Sequence, residues 1–151
     1  MTRITCPSPV GALCITEQDG AITRLDWGGA PVGSETPMLA QARAQLDAYF
    51  AGRRETFELP LRVEGAPFLS AVCEAMRAIP FGETRTYGEI AANLGASAQA
   101  VGNACGANPI PILIPCHRVL GAGSLGGYSG AGGIETKVAL LRLEGAAGLL
   151  I

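Results

Sequence analysis

A stretch of ten residues, 109–118, constrains this chain more than any other part of its sequence. Three prolines and four aliphatic residues, with no charge among them, lead into Cys116 and His117, and Arg118 closes the stretch. A cysteine is a good nucleophile only as the thiolate, and a neighbouring imidazole with partial burial is a common way to form one. An isolated Cys-His pair more often combines a core cysteine with a surface histidine. The nucleophilic interpretation therefore depends on the longer string.

Length and composition indicate a globular protein. A chain of 151 residues can bury enough surface for one compact domain or two small lobes. Hydrophobic residues make up 48% of it and charged residues 16%, which argues against disorder. No apolar run reaches the roughly 18 residues of a membrane span, and the first residues lack a signal-peptide core. We therefore expect a cytoplasmic location and no membrane contact.

The five cysteines argue against a disulfide framework. Their number is odd, their spacing is irregular and none forms a CxxC motif. The chain's single histidine cannot complete the usual zinc ligand sets, so no metal site is expected. Reduced thiols in a reducing compartment are the simpler interpretation.

The charge distribution excludes a strongly basic nucleic-acid binder. The net charge is −2; residues 1–63 hold six arginines and seven acids, and residues 64–151 hold five basic and six acidic residues. A tight nonspecific nucleic-acid binder would carry a basic face. Any contact with DNA must therefore come from local geometry.

The first 63 residues predict a small αβ lobe. Residues 1–30 are typical of strands, with a tight turn at 18–20 and alternating apolar and polar residues over 21–27. Residues 38–50 have the apolar spacing of an amphipathic helix. Residues 57–61 predict one more strand, at a sheet edge because of its proline.

From residue 64 onward the pattern is helical. Pro67 opens a helix with Phe68, Val72, Met76 and Ile79 on one side. The glycine-rich segment 121–133 predicts a loop; its Gly-x-Gly-x-x-Gly string at 121–126 lies outside any βαβ unit, so a dinucleotide site is a weak interpretation. A last helix is predicted over 134–143.

Two short helices in the middle of this part predict a helix-turn-helix. Thr86 with a glutamate three residues later fits a capping box for a helix over 87–94, which ends at Gly95. Ser97 then caps a second helix over 98–107. This arrangement presents the second helix to a DNA groove, although short helical hairpins also occur as plain packing.

Several further motifs lie in order around the Cys-His pair and carry a resemblance. The chain resembles the O6-alkylguanine-DNA alkyltransferases, which move an alkyl group from a damaged guanine to one of their own cysteines. The resemblance covers residues 67–145 and rests on Ile79-Pro80-Phe81-Gly82-Glu83-Thr84, Thr86-Tyr87-Gly88-Glu89-Ile90-Ala91, Ala100-Val101-Gly102, Asn108-Pro109, Ile114-Pro115-Cys116-His117-Arg118-Val119, Gly126-Gly127-Tyr128-Ser129-Gly130, Lys137 and Leu140-Leu141-Arg142-Leu143-Glu144.

The resemblance implies an α/β fold of two lobes. Residues 1–63 would form a small αβ lobe, ribonuclease-H-like, and agree with the family only in outline. Residues 64–151 would form a mostly helical catalytic lobe that carries the helix-turn-helix and the Cys-His site.

The resemblance also implies a role for each site residue. Cys116 would accept the alkyl group, His117 would draw its proton through a water, and Glu144 would orient the imidazole. Asn108 would hold the turn between the recognition helix and the active site. The substrate or DNA contacts would come from Tyr87, Gln99, Ala100, Gly102, Arg118, Val119, Tyr128 and Ser129.

The chemistry that the resemblance implies is stoichiometric. The base must leave the stack to reach the thiol, and nothing in the sequence would break the resulting thioether. We therefore expect one turnover per chain and no cofactor. The expected partner is double-stranded DNA that contains O6-alkylguanine, and the default state is a monomer without an obligate protein partner.

The chain departs from the family pattern at a few positions. Gln99 stands where the family usually has an arginine that replaces the extruded base, and no basic residue occurs between Gly95 and Cys116. Cys73 and Leu69 replace a tryptophan and a glutamine, and residues 130–133 lengthen the loop after Tyr128. Three alternatives to repair stay open: a module that binds the lesion without repairing it, an acceptor for alkyl groups of free nucleosides or small electrophiles, and, least favoured, a transcription regulator.

Overall fold

The computed structural model describes residues 1–146, which form two compact units, Met1–Val63 and a second that begins at Glu64. The first unit is αβ and the second is mostly helical, as the sequence predicts. Within the described residues, no helix is both long and apolar enough to cross a membrane.

The first unit is an antiparallel three-stranded sheet covered by one helix. Strands β1 (Thr2–Cys6), β2 (Leu13–Gln18) and β3 (Ala21–Trp27) pair in chain order. Helix α1 (Pro37–Phe50) packs against β1 and β2. Alternation in the strands and helical spacing in α1 direct apolar side chains to one core. That core includes Ile4, Leu13, Ile15, Leu25, Leu39, Ala42, Leu46 and Tyr49.

The strand predicted over residues 57–61 is wrong. Only one isolated bridge, between Ile22 and Leu61, connects this segment to the sheet. The buried Gln45 side chain instead bonds the backbone of Glu58: its amide nitrogen donates to the carbonyl at 3.2 Å, and its oxygen accepts from the N–H at 2.9 Å. A side chain on α1 therefore satisfies backbone groups that a strand would otherwise pair.

The second unit begins with helix α2 (Pro67–Arg77), which packs against the helix-turn-helix. Val72 and Met76 are fully buried, as predicted, but Phe68 is 36% exposed and does not join the buried side of α2. A two-stranded parallel sheet follows, made of β4 (Arg85–Thr86) and β5 (Val119–Leu120). Helix α5 (Ile134–Leu143) is the last helix of the described part and has the predicted bounds.

The helix-turn-helix consists of α3 (Tyr87–Leu94) and α4 (Ala98–Gly106). Thr86 forms the predicted capping box, because its hydroxyl accepts from the Glu89 N–H at 3.0 Å while the Glu89 carboxylate accepts from the Thr86 N–H at 2.9 Å. Gly95 ends α3 in the left-handed region, with φ +64. Ser97 caps α4 through the Ala100 N–H at 3.1 Å.

Candidate active site

The candidate acceptor, Cys116, begins a 3₁₀ turn (Cys116–Arg118) that leads into β5. The residue is 6% exposed and lines a cavity of about 440 Å³ in the second unit. That volume is within the range of small-molecule sites. The cavity is lined by Tyr87, Gly102, Cys105, Gly106, Cys116, Gly127, Tyr128 and Ser129. Five of these eight residues belong to the site predicted from sequence.

Opposing influences act on the Cys116 thiol. Burial raises its pKa, because the thiolate is poorly solvated there. A hydrogen bond from the Asn108 side chain and the nearby charge of Lys137 both act to lower the pKa. The net shift is upward, so the resting cysteine is a thiol and needs a base to form the thiolate.

His117 and Glu144 form a buried pair. His117 Nε2 lies 2.7 Å from Glu144 Oε2, and neither side chain has any exposed surface. Burial lowers the pKa of His117, although the Glu144 carboxylate acts to raise it. The neutral imidazole therefore carries its proton on Nε2, which donates to Glu144. Nδ1 is left as an acceptor, and it is buried without a hydrogen-bond partner among residues 1–146.

Arg118 has a different place from the one that the sequence predicts. Its predicted role is a DNA contact, but it is only 6% exposed. Its Nε donates to Glu144 Oε1 at 2.8 Å, one terminal nitrogen donates to Oε2 at 2.9 Å, and the other donates to the Ile79 carbonyl at 2.7 Å. The two-point pairing holds Glu144 against His117. These bonds hold the guanidinium inside the second unit, where the structure leaves little of the Arg118 side chain exposed.

Asn108 fixes the path of the proline-rich segment before Cys116. Its amide nitrogen donates to the Ile114 carbonyl at 2.9 Å, and its oxygen accepts from the Ile110 N–H at 3.0 Å. Between these two points Ile112 has φ +72, an uncommon conformation for a β-branched residue. The Asn108 side chain therefore holds a strained turn whose far end presents the thiol.

Tyr87 is packed between helix α4 and the glycine-rich loop. A Cβ added at Gly102 would lie 3.9 Å from its ring, and one added at Gly126 would lie 2.8 Å from its hydroxyl. The Tyr87 hydroxyl accepts a hydrogen bond from the Gly127 backbone. Glycine at 126 is required both by this close approach and by its φ of +71.

The remaining predicted DNA contacts differ in exposure. Gln99 is exposed on the first turn of α4, whereas Ala100 is half-buried. Ser129 is exposed at the cavity and Tyr128 is half-buried. Val119 is fully buried, and its carbonyl accepts a hydrogen bond from the Lys137 amine at 2.6 Å. The structure thus gathers Tyr87, Tyr128 and Ser129 around the thiol and leaves Gln99 on the helix surface.

Lys137 is a site residue to which the sequence prediction gives no role. It is fully buried, donates to the Val119 and Gly127 carbonyls at 2.6 and 3.0 Å, and lies 5.8 Å from the centre of the Tyr87 ring. Burial lowers its pKa to about 8, and the Cys116 and Cys105 thiols partly oppose that change. One signal is present in the sequence: Lys137 and Glu144 lie seven residues apart, on the side of α5 that Leu140 and Leu141 bury.

The fold and the site together define a two-unit protein in which a helix-turn-helix adjoins a buried Cys-His-Glu cluster. Two family models match nearly the whole chain. Residues 1–63 match the model for the ribonuclease-like domain of 6-O-methylguanine DNA methyltransferase, and residues 67–146 match the model for its DNA-binding domain. The chain belongs to this family, and the predicted ribonuclease-like character of the first lobe is confirmed.

Curated relatives and solved structures agree with this assignment. The constitutive methylated-DNA–protein-cysteine methyltransferase of Bacillus subtilis is 44% identical, and the match covers 93% of each chain. The Methanosarcina acetivorans methylated-DNA–protein-cysteine methyltransferase is 41% identical and covers 91% of this chain and 94% of its own. The crystal structure of Mycobacterium tuberculosis OGT in complex with DNA has 44% identity and a TM-score of 0.83, over 94% of this chain and 91% of that one.

Proposed function

We propose that this chain repairs DNA by moving an alkyl group from O6 of an alkylated guanine to Sγ of Cys116. A sulfur–carbon bond forms as the carbon–O6 bond breaks. The thiol proton leaves to His117, and the departing guanine takes a proton from Tyr87. Water then carries a proton from His117 to Tyr87, which restores both side chains. Atoms and electrons balance within these groups, so the step consumes no cofactor. The thioether is not reopened, and each chain acts once.

One observation carries this proposal: Cys116 lines a cavity that helix α4, the second helix of the helix-turn-helix, bounds on one side. An O6-alkyl carbon is inaccessible to in-line attack inside the base stack, so the guanine must turn out into a pocket. Tyr87 and Ser129 at this cavity would contact the extruded base. Gln99, exposed on α4, would occupy the gap that the base leaves.

The buried cluster supports the proton transfer. Nε2 of His117 donates to Glu144, so Nδ1 can accept a proton, and we assign a bridging water between Nδ1 and the Cys116 sulfur. Glu144 stabilises the imidazolium that forms, and Arg118 holds Glu144 in place. Asn108 positions the thiol through the turn that precedes it.

The proposal places the chemistry and the DNA contacts in residues 64–151, with residues 1–63 as the accompanying αβ lobe. It requires a reduced Cys116, which fits the cytoplasm, where thiols stay reduced. One lesion consumes one chain, so a monomer suffices and no protein partner is required.

Intact-protein mass spectrometry tests the proposal. The protein is mixed with a duplex that contains one O6-methylguanine, beside Cys116→Ser and the matched control Cys14→Ser, a buried cysteine outside the cavity lining. We expect the mass of one added methyl group on the parent and on Cys14→Ser, and none on Cys116→Ser. Methylation of Cys116→Ser would contradict the assignment.

A second arm of the experiment uses free O6-benzylguanine and tests whether the chain accepts alkyl groups from small molecules instead of from DNA. The small-molecule alternative is favoured by the absence of basic residues between Gly95 and Cys116. Alkylation by the free base but not by the duplex would replace the repair proposal with that function. Binding of the duplex without any adduct would indicate a lesion-recognition module.

A further inference from the structure

The cavity beside helix α4 contains a second thiol that alkyl transfer does not use. Cys105, on α4, lines the same cavity as Cys116, and each residue is 6% exposed. Both are free cysteines. Cys105 Sγ lies 3.6 Å from the thioether sulfur of Met76, which is a weak contact and leaves the thiol chemically intact.

Both thiols are held in the protonated form. Burial and, to a smaller extent, the proximity of Cys116 together raise the pKa of Cys105 to about 12, since two thiolates would repel each other. Burial also raises the pKa of Cys116. An electrophile suited to this pair must therefore carry a leaving group that accepts the thiol proton. Disulfide formation, which needs an attacking thiolate and an oxidant, is disfavoured.

We propose that Cys105 and Cys116 form a dithiol site for trivalent arsenicals of the type R–As(OH)2. Each thiol condenses with one As–OH group: an arsenic–sulfur bond forms, an arsenic–oxygen bond breaks, and the thiol proton leaves with the hydroxide as water. Two such steps yield a cyclic R–As(S)2 adduct and two waters. No electrons are transferred, and no other reactant is needed.

The cavity also accommodates the organic group of an aryl arsenical. Its volume of about 440 Å³ exceeds what two arsenic–sulfur bonds fill, and the Tyr87 and Tyr128 rings line it. Aromatic rings flanking an aryl group contribute favourable contact. Three glycines, Gly102, Gly106 and Gly127, line the cavity without side chains that would obstruct entry.

Phenylarsine oxide, which hydrates to phenylarsonous acid, is the probe for the test. Native mass spectrometry should show that the parent protein gains one phenylarsenic group. A small dithiol should remove that group, and the dithiol concentration that removes half of it is the half-release concentration. Cys105→Ser loses chelation, so its half-release concentration should fall by about 100-fold or more. Cys116→Ser should show the same loss, and far-UV circular dichroism of both variants confirms that each remains folded.

Cys73→Ser is the matched control, since Cys73 is buried and lies near Cys116 but is outside the cavity lining. It should retain the half-release concentration of the parent. Retained binding in Cys105→Ser, lost binding in Cys73→Ser, or no adduct on the parent would each overturn the proposal. The readout is arsenical binding alone, so it stands apart from the methyl-transfer assay; only the further expectation that the adduct blocks methylation of Cys116 rests on the proposed function.

Discussion

At the scale of single residues, the proposed mechanism makes the transfer rate depend on proton transfer from Cys116 to His117. The pKa of Cys116 lies above its ordinary 9.0 and that of His117 below its ordinary 6.5. At pH values between the pKa of His117 and the pKa of Cys116, the neutral thiol–imidazole pair and the thiolate–imidazolium pair hold the same number of protons. Their ratio therefore does not change with pH.

The single-turnover methyl-transfer rate should follow from this. We expect a level rate from pH 6.5 up to about pH 8, where the buried Lys137 begins to lose its charge, and a decline only below pH 6.5. In His117→Gln the level region should disappear, and the rate should climb by about tenfold per pH unit as the thiol ionises directly. Quench-flow measurements of the parent and of His117→Gln between pH 6.5 and about pH 8 compare the two pH profiles. A rate that climbs with pH in the parent would rule out His117 as the base.

Glu144→Gln removes the charge that holds His117. A neutral amide cannot stabilise the imidazolium and can donate to Nε2, which would move the ring proton to Nδ1. We expect methyl transfer to slow by about 100-fold or more. Because Arg118 would then be buried without its carboxylate, the free energy of unfolding should fall by about 3 kcal/mol.

The matched control for this change is Glu135→Gln, on the exposed first turn of the same helix α5. It should leave both the rate and the stability near those of the parent. Transfer rates and urea denaturation midpoints of the two variants provide the comparison. Equal effects would mean that the buried position of Glu144 has no special importance.

At the scale of elements, the helix-turn-helix combines standard capping with an unusual surface. The caps at Thr86, Gly95 and Ser97 follow local rules, but α4 presents Gln99 where the family usually has arginine. Glutamine can hydrogen-bond an orphan base, but it lacks the charge and the stacking value of a guanidinium. We therefore expect this chain to bind DNA more weakly than is usual for its family.

Gln99→Arg should bind a lesion-containing duplex about 3-fold tighter or more, with a steeper dependence on salt. Gln41→Arg, on the exposed side of α1, adds the same charge away from the helix-turn-helix and should have a smaller effect. Fluorescence anisotropy titrations at two salt concentrations measure both variants. No gain for Gln99→Arg, or equal gains for the two, would contradict this account.

At the scale of the whole molecule, the pH dependence of stability between pH 6.5 and about 5 should come mainly from a single group, His117. The chain has one histidine, and burial lowers its pKa below 6.5 in the folded state. Below pH 6.5 the unfolded chain therefore binds a proton that the folded protein does not, and the free energy of unfolding falls with falling pH. Carboxyl groups titrate mainly nearer pH 4.

Between pH 6.5 and about 5, the free energy of unfolding should decrease by up to about 1.4 kcal/mol per pH unit. His117→Gln should lack this slope while retaining the acid-induced loss at lower pH. Urea denaturation followed by far-UV circular dichroism suits the measurement, since four of the five helices of the described residues lie in the same unit as His117. A slope shared by both proteins would assign it to other groups.

Local chemistry along the chain determines much of the fold. The bounds of α3 and α5 and the caps at Thr86, Gly95 and Ser97 follow from residues within about four positions of one another, and such interactions can be predicted from sequence. The string around Cys116 likewise indicates the family. The strand expected over residues 57–61 fails because its competitor, Gln45, lies 13 residues away from Glu58.

The environment of each charge is decided only by the tertiary structure. The resemblance to the family suggests that Arg118 contacts DNA. In the structure Glu144, 26 residues further along the chain, holds the Arg118 side chain inside. Cys105 joins the site because it lines the cavity beside Cys116, and Lys137 joins it because its buried amine bonds the carbonyls of Val119 and Gly127. Sequence patterns specify which side chains an element presents, whereas the partner that makes a buried charge or thiol tolerable comes from another element and is set when the core closes.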